Sequence, residues 1–324
     1  MSHKILVYNS GGGLGDSIQL FSLILSLKNH FKNSTFFYLS AHENHFENKL
    51  KEFNIGMESI NLDIKYFGFR WLHLTKIRQK IKNKNIAKFD LVIDLQSKLR
   101  NTLILKQIPC NSFFSSTFNF MFTTRKRKYL NEKGDLSLNI LSNLEIFLDT
   151  KIKKINYDLN SLPRELAQEA IKLLPDQNYI GFSITQGNAY RLKSWPIENF
   201  ITLANKYIST GKKTVFFVEK SEIELIGYIK KKIPGALFPE NENKLACPAL
   251  VTALASRLDK AITIDNGVMH MIALANIPMI TLFGPTNSKK FSPKITNVKV
   301  LDSKYIYNSS DISKITVEDV FNCS

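Results

Sequence analysis

The sequence predicts an α/β protein made of two doubly wound halves, each a parallel sheet covered on both faces by helices. Three observations carry that prediction. Seven short, almost wholly apolar runs recur along the chain: "KILVY", "TFFYLS" and "FDLVIDL" early, then "YIGFSIT", "KTVFFVE", "AITID" and "PMITLFG". A strand with one wet face alternates polar and apolar residues, so runs without a polar face belong to strands buried on both sides, as in parallel sheets. Amphipathic stretches of helical period separate these runs, which is the order a βαβ chain requires. Finally, 324 residues suffice for two domains, each with its own core. The seam falls near 158–178, where "DLNSLPRELAQEAIKLLPDQN" puts two prolines and a polar helix between the two strand groups. This divides the chain into 1–160 and 161–324, with the closing helix free to pack back on the first domain. No period of 20–50 residues suggests a solenoid.

Taken in order, the first strand runs into "GGGLGDS" and then a long apolar-periodic stretch, a strand–turn–helix reading that invites a phosphate. The residues resist one. A Walker A loop needs Gly-Lys-Ser/Thr, and the chain has Gly15-Asp16-Ser17; a dinucleotide fingerprint begun at Gly11 would need glycine where Asp16 stands. "HENH" at 42–45 lacks the zincin spacing and reads as loop. Residues 70–88, "RWLHLTKIRQKIKNKNIAK", read as a cationic helix. In 116–134, Phe118, Phe120 and Phe122 precede Arg125, Lys126, Arg127 and Lys128, a solvated loop or a surface held at a membrane interface. In the second half, Arg191 and Lys193 lie in a loop at the carboxyl end of a strand, where open α/β sheets bind ligands. Glu219 and Glu222 end another strand, and Asp265-Asn266-Gly267 opens a helix.

A net charge of +16 and a pI near 9.6 point to an anionic partner, although a chain crowded with Lys, Asn and Ile can be basic for compositional reasons. No helix-turn-helix, RRM, KH or zinc-finger pattern supports nucleic acid. Cys110, Cys247 and Cys323 are odd in number and far apart, which suggests neither a disulfide framework nor a zinc ribbon and suits a reducing cytoplasm. The N-terminus shows no signal-peptide core, and no apolar run reaches the length of a spanning helix.

The turn Asp265-Asn266-Gly267 with His270 three residues on, continued by "ANIPMITLFGPT", resembles the lipopolysaccharide heptosyltransferases of glycosyltransferase family 9, which have the GT-B fold. "RLKSWP", "FDLVIDLQSKLRN" and "GLGDS" extend the resemblance from residue 4 to about residue 293. It implies two Rossmann-like domains facing each other across a cleft, the first for the acceptor and the second for a nucleotide sugar. Asp16 would match the catalytic base, Lys193 the donor-phosphate lysine with Arg191 nearby, Glu222 the ribose-binding acid, and Asp265, Asn266, Gly267 and His270 the donor-diphosphate turn. Asn266 stands where the family commonly has Thr or Ser. The implied donor is an ADP-sugar, foremost ADP-heptose, and the acceptor an anionic glycolipid met at the inner face of the cytoplasmic membrane.

The chemistry of inverting transfer is compatible with these roles. An acceptor hydroxyl attacks an oxocarbenium-like carbon while a diphosphate leaves, so a base is needed on one side and positive potential on the other. Asp16 can be that base, since a helix N-terminus favours a carboxylate, and Gly13 and Gly15 let an acceptor approach the backbone. The chain has no Asp-x-Asp, so diphosphate neutralisation is expected from Lys193, Arg191 and the helix opening at Gly267, without a metal or cofactor. Arg125, Lys126, Arg127 and Lys128 are candidates for the acceptor or an anionic membrane. Two rivals stand beside this reading: a GT-B scaffold that binds sugar nucleotide or glycolipid without catalysis, and a basic nucleic-acid-binding protein.

Overall fold

The computed structural model describes residues 3–323 apart from 42, 61, 85, 97, 131–135, 187–192 and 242. The chain divides into two compact units, Met1–Tyr157 and Asp158–Ser324. In the first, β1 (Lys4–Asn9), α1 (Leu14–Ile18), α2 (Phe21–His30), β2 (Thr35–Ser40) and β3 (Glu58–Ser59) are followed by α3 (His73–Asn83), β4 (Phe89–Asp94), α4 (Leu99–Leu105) and β5 (Cys110–Ser115). A short distorted turn of helix, α5 (Thr117–Phe120), and α6 (Leu136–Leu148) complete it. All strands are parallel, in the order β3-β2-β1-β4-β5. The central strands are the wholly apolar runs: every residue of β1 after Lys4 is buried. Leu6, Tyr8, Val92 and Ile104 form part of one continuous core cluster.

The second unit contains α7 (Arg164–Leu173), β6 (Tyr179–Ser183), α8 (Ile197–Ser209), β7 (Lys213–Phe217), α9 (Ile223–Lys232), α10 (Pro248–Ala255), β8 (Leu258–Ile264), α11 (Gly267–Ala273) and β9 (Met279–Phe283). Three short helices, α12 (Ser288–Phe291), α13 (Ser303–Ile306) and α14 (Val317–Asn322), accompany β10 (Val298–Asp302). Its sheet is again all parallel, in the order β10-β9-β8-β6-β7. The polar helix α7 belongs to this unit, burying Leu166 and Ala170. The closing helix, which the sequence leaves free to pack on the first domain, contributes Val320 to the second unit's own core, with Phe321 against Tyr207 of α8. Among the described residues no helix is long and apolar enough to cross a membrane.

Each sheet reverses its strand order once. In the first unit β1 lies between β2 and β4, so the chain leaves β1 to one side and returns on the other; in the second, β6 lies between β7 and β8. Connections diverge at such a point and leave a crevice beyond the carboxyl ends of the strands, where doubly wound folds place their ligands.

Candidate functional site

The glycine loop follows β1, at the first of these switch points, and is held in place by the neighbouring strand. Beyond β4, the Gln96 amide donates to Asn9 Oδ1 at 2.6 Å and accepts from the Ser10 hydroxyl at 2.6 Å, while Asn9 Oδ1 also accepts the Gly11 N–H at 3.0 Å. Gln96 is fixed in turn by Asp94, whose carboxylate accepts from the Gln96 N–H (3.0 Å), Thr102 (2.6 Å) and Ser115 (2.9 Å). Burial pushes the Asp94 pKa up, and the bonds from Thr102, the Gln96 amide and Ser115 pull it back. The motif "IDLQ" therefore serves the loop of the next strand.

Asp16 occupies the third position of α1 and is half-buried. Its carboxylate turns back over the loop and accepts the Gly13 N–H at 3.3 Å, the reach of an N-terminal helix acid toward its own cap. Beneath it the Tyr38 hydroxyl is pushed up to about 12, first by burial, with Asp16 acting in the same direction and Ser17 and Asn9 opposing. Gly13 is exposed and Gly15 is buried in the first turn of α1. A residue that sequence reasoning missed also faces this loop: His45, inside the segment read as plain loop, is buried and donates from Nε2 to the Gly12 carbonyl at 3.2 Å. Its Nδ1 lies 3.3 Å from the Glu43 carboxylate. Only the fold brings residue 45 to residue 12, so no local pattern announces it.

At the second switch point the ends of β6 and β8 meet. Lys193 Nζ donates to Asp265 Oδ2 at 2.5 Å and lies 3.3 Å from the Asp265 carbonyl, an ion pair with side chains 16% and 9% exposed. The Lys193 N–H donates to Gln186 Oε1 at 2.8 Å. Two residues on, Trp195 is buried, donates from Nε1 to the Ile315 carbonyl at 2.8 Å and meets Phe200 edge-on, so "KSWP" is a lysine on an aromatic anchor. Asn266 caps α11 by accepting the Met269 N–H at 2.8 Å, and its amide donates to Ser183 Oγ (2.7 Å) and the Thr185 carbonyl (2.8 Å). A Thr or Ser could cap the helix, but one hydroxyl could not also span to both acceptors. Gly267 follows this cap, half-buried, and His270 is buried on α11.

The remaining candidates are placed less centrally. Arg191 lies outside the described residues. Glu222 is exposed at the start of α9. Near it, and unanticipated, Glu240 has its pKa raised to about 7, chiefly by burial and then by the Glu219 carboxylate. Arg125, Lys126, Arg127 and Lys128 are all exposed, yet three of them also secure their own segment. Arg125 donates to the Phe147 carbonyl at 3.1 Å, Lys126 donates to the Met121 carbonyl, and Arg127 pairs with Asp149 at 3.1 Å. Of the three phenylalanines expected to share one surface, Phe118 is exposed but Phe120 is buried, stacked on Tyr129.

The sequence pattern of glycosyltransferase family 9 (heptosyltransferase) matches residues 74–320. The chain belongs to glycosyltransferase family 9. A lipooligosaccharide heptosyltransferase 2 of Haemophilus influenzae is 27% identical to this family 9 chain over 119 residues, a match covering 35% of the chain and 34% of that relative. Among solved structures, a family 9 glycosyl transferase from Veillonella parvula superposes with a TM-score of 0.72 at 22% identity, covering 99% of this chain and 96% of that one. E. coli heptosyltransferase WaaC with ADP-2-deoxy-2-fluoro heptose gives 0.68 at 15% identity, covering 99% and 98%. The family 9 fold thus extends over both units.

Proposed function

We propose that this family 9 protein is an inverting glycosyltransferase that moves heptose from an ADP-heptose donor to a lipopolysaccharide-type glycolipid at the cytoplasmic face of the membrane. The observation that carries this reading is the pairing of chemistry with topology: a carboxylate, Asp16, stands at one switch point, and an ammonium, Lys193, at the other. The first unit then serves the acceptor and the second the donor; the choice of an ADP-linked donor is supported by a protein of like fold solved with ADP-2-deoxy-2-fluoro heptose.

In this scheme the Asp16 carboxylate takes the proton of the acceptor hydroxyl as its oxygen bonds to the anomeric carbon, while the bond from that carbon to the diphosphate breaks. Charge grows on the leaving diphosphate. Lys193 has three N–H donors; with one directed at Asp265 Oδ2, another can meet that charge from an ammonium whose position is already set. Asn266 holds the donor turn against the end of β6, Gln186 holds the backbone of Lys193, His270 supports the turn from α11, and Glu222 is available for ribose hydroxyls. The exposed cations Arg125, Lys126, Arg127 and Lys128 supply attraction for the phosphates of the acceptor.

The test is incubation of the full chain with ADP-heptose and a heptose-free core glycolipid, read by mass spectrometry of the lipid. A gain of one heptose supports the reading. No gain, with the protein still stabilised by ADP in a thermal shift, identifies a non-catalytic sugar-nucleotide binder. Stabilisation by oligonucleotide alone contradicts both.

A further inference from the structure

We propose that the loop 66–72 is a membrane-docking element that inserts Phe69, Trp71 and Leu72 into an anionic phospholipid bilayer. The proposal rests on the reading above, in which the acceptor is carried by a lipid. Within seven residues, Tyr66, Phe69, Trp71 and Leu72 are 57%, 46%, 54% and 58% exposed. Apolar side chains gathered in this way on a surface mark an interaction site. In another exposed run, Tyr305 to Tyr307, Lys289 lies over the Tyr305 ring and Tyr307 is bonded to Asp319.

The loop is held in this shape from beneath. Tyr8 donates to the Phe67 carbonyl at 3.2 Å, Arg100 Nε donates to the Gly68 carbonyl at 2.8 Å, and the Gly68 N–H donates to His73 Nδ1 at 3.2 Å. Gly68 has φ +85°, and a Cβ there would collide with the Tyr8 hydroxyl, so this position must be glycine for the loop to sit so close to β1. Tyr66 adopts φ +52°, a conformation bulky residues rarely take. With the backbone anchored at both Phe67 and Gly68, the rings of Tyr66 and Phe69 meet edge-to-face at 6.5 Å and, with Trp71, remain about half exposed.

Charge selects the occupant. Lys65 and Arg70 flank the aromatics, and Lys76 and Lys82 are exposed on α3, which continues directly from the loop. Aromatic side chains at headgroup depth, with cations beside them, match the interface of an anionic leaflet. The position also fits the chemistry. A cavity of about 810 Å³ in the first unit is lined by Gly12 and His45 at the glycine loop and by Tyr66 and Phe67 at the aromatic one. A glycolipid held in a bilayer against the loop could place its sugars in this cavity, toward Asp16, without leaving the membrane.

The chain has two tryptophans, and Trp195 is 2% exposed, so bromolipid quenching of fluorescence reports on Trp71. With vesicles of phosphatidylcholine and phosphatidylglycerol, the full chain should bind and be quenched, and Trp71→Phe should lose the quenching. Phe69→Ser/Leu72→Ser should weaken vesicle binding roughly tenfold or more, with unchanged ADP stabilisation and unchanged transfer to a delipidated, water-soluble acceptor. Absence of vesicle binding, binding without Trp71 quenching, or loss of transfer to the soluble acceptor in the double variant would each overturn the proposal. Quenching of Trp71 in a protein that transfers no heptose would leave the docking loop standing and remove the proposed reaction.

Discussion

The Asp16 side chain lies folded against Gly11: a Cβ on Gly11 would stand 2.8 Å from Asp16 Cβ and 3.0 Å from its Oδ2. The absence of a side chain at Gly11 is what makes room for that aspartate. Gly11→Ala must therefore displace the carboxylate or the loop, since ordinary packing does not tolerate a contact of 2.8 Å. Misplacing a reacting group by a fraction of an ångström to an ångström costs roughly 10- to 100-fold in turnover. Steady-state kinetics should show that loss in kcat, with ADP affinity unchanged. Full turnover in the variant would show that the loop absorbs the methyl group and that its geometry is not critical.

Lys193 and Asp265 form a pair with little access to solvent, so removing one partner strands the other. Lys193→Ala should cost about 2–3 kcal/mol in denaturant unfolding, below the full range for completely buried pairs because the lysine retains some exposure. Lys193→Ala/Asp265→Asn should recover part of that loss, the coupling expected of residues in contact. Catalytically, Lys193→Ala should lower kcat/KM by more than it lowers affinity for the ADP-sugar, because the diphosphate gains charge only as the bond breaks. Equal losses would assign the lysine to uniform binding.

The central strands were legible in the sequence because they are buried on both faces: "KILVY", "FDLVIDL" and "PMITLFG" are β1, β4 and β9. The strands that no apolar run announces are β3, β5 and β10, each at a sheet edge. An edge strand keeps a wet side; Lys299 and Val300 of β10 are exposed, and "CNSFFS" of β5 is half polar. The site divides in the same way. Lys193, Asp265 and Asn266 lie close together at the ends of β6 and β8, and the motif that suggested them is local to each strand end. Gln96 and His45 reach the glycine loop only through strand order and a returning loop, and the burial of Glu240 depends on tertiary packing that sequence spacing does not encode.

Glu240 gives a prediction in pH. Its pKa in the folded protein, about 7, lies above the ordinary glutamate value of 4.5, so between these values the native state holds more proton than the unfolded chain. Stability contributed by this group must then fall as pH rises through that window. Glu240→Gln removes the titration. The difference in melting temperature between Glu240→Gln and wild type should shift in favour of the variant from pH 4.5 to pH 8. A difference independent of pH would mean that the carboxylate is solvated in the folded protein.

The central claim is that Asp16 accepts the proton of the acceptor hydroxyl. Asp16→Asn keeps the shape of the side chain and replaces a basic oxygen by an amide, so the most direct measurement is single-turnover transfer of heptose by this variant, with donor affinity measured in parallel. Loss of a general base predicts a rate lower by roughly 10²–10⁴, with ADP-heptose affinity within about twofold of wild type, since the donor is assigned to the other unit. Wild-type turnover in Asp16→Asn would contradict the account and leave Asp16 as the capping acid of α1.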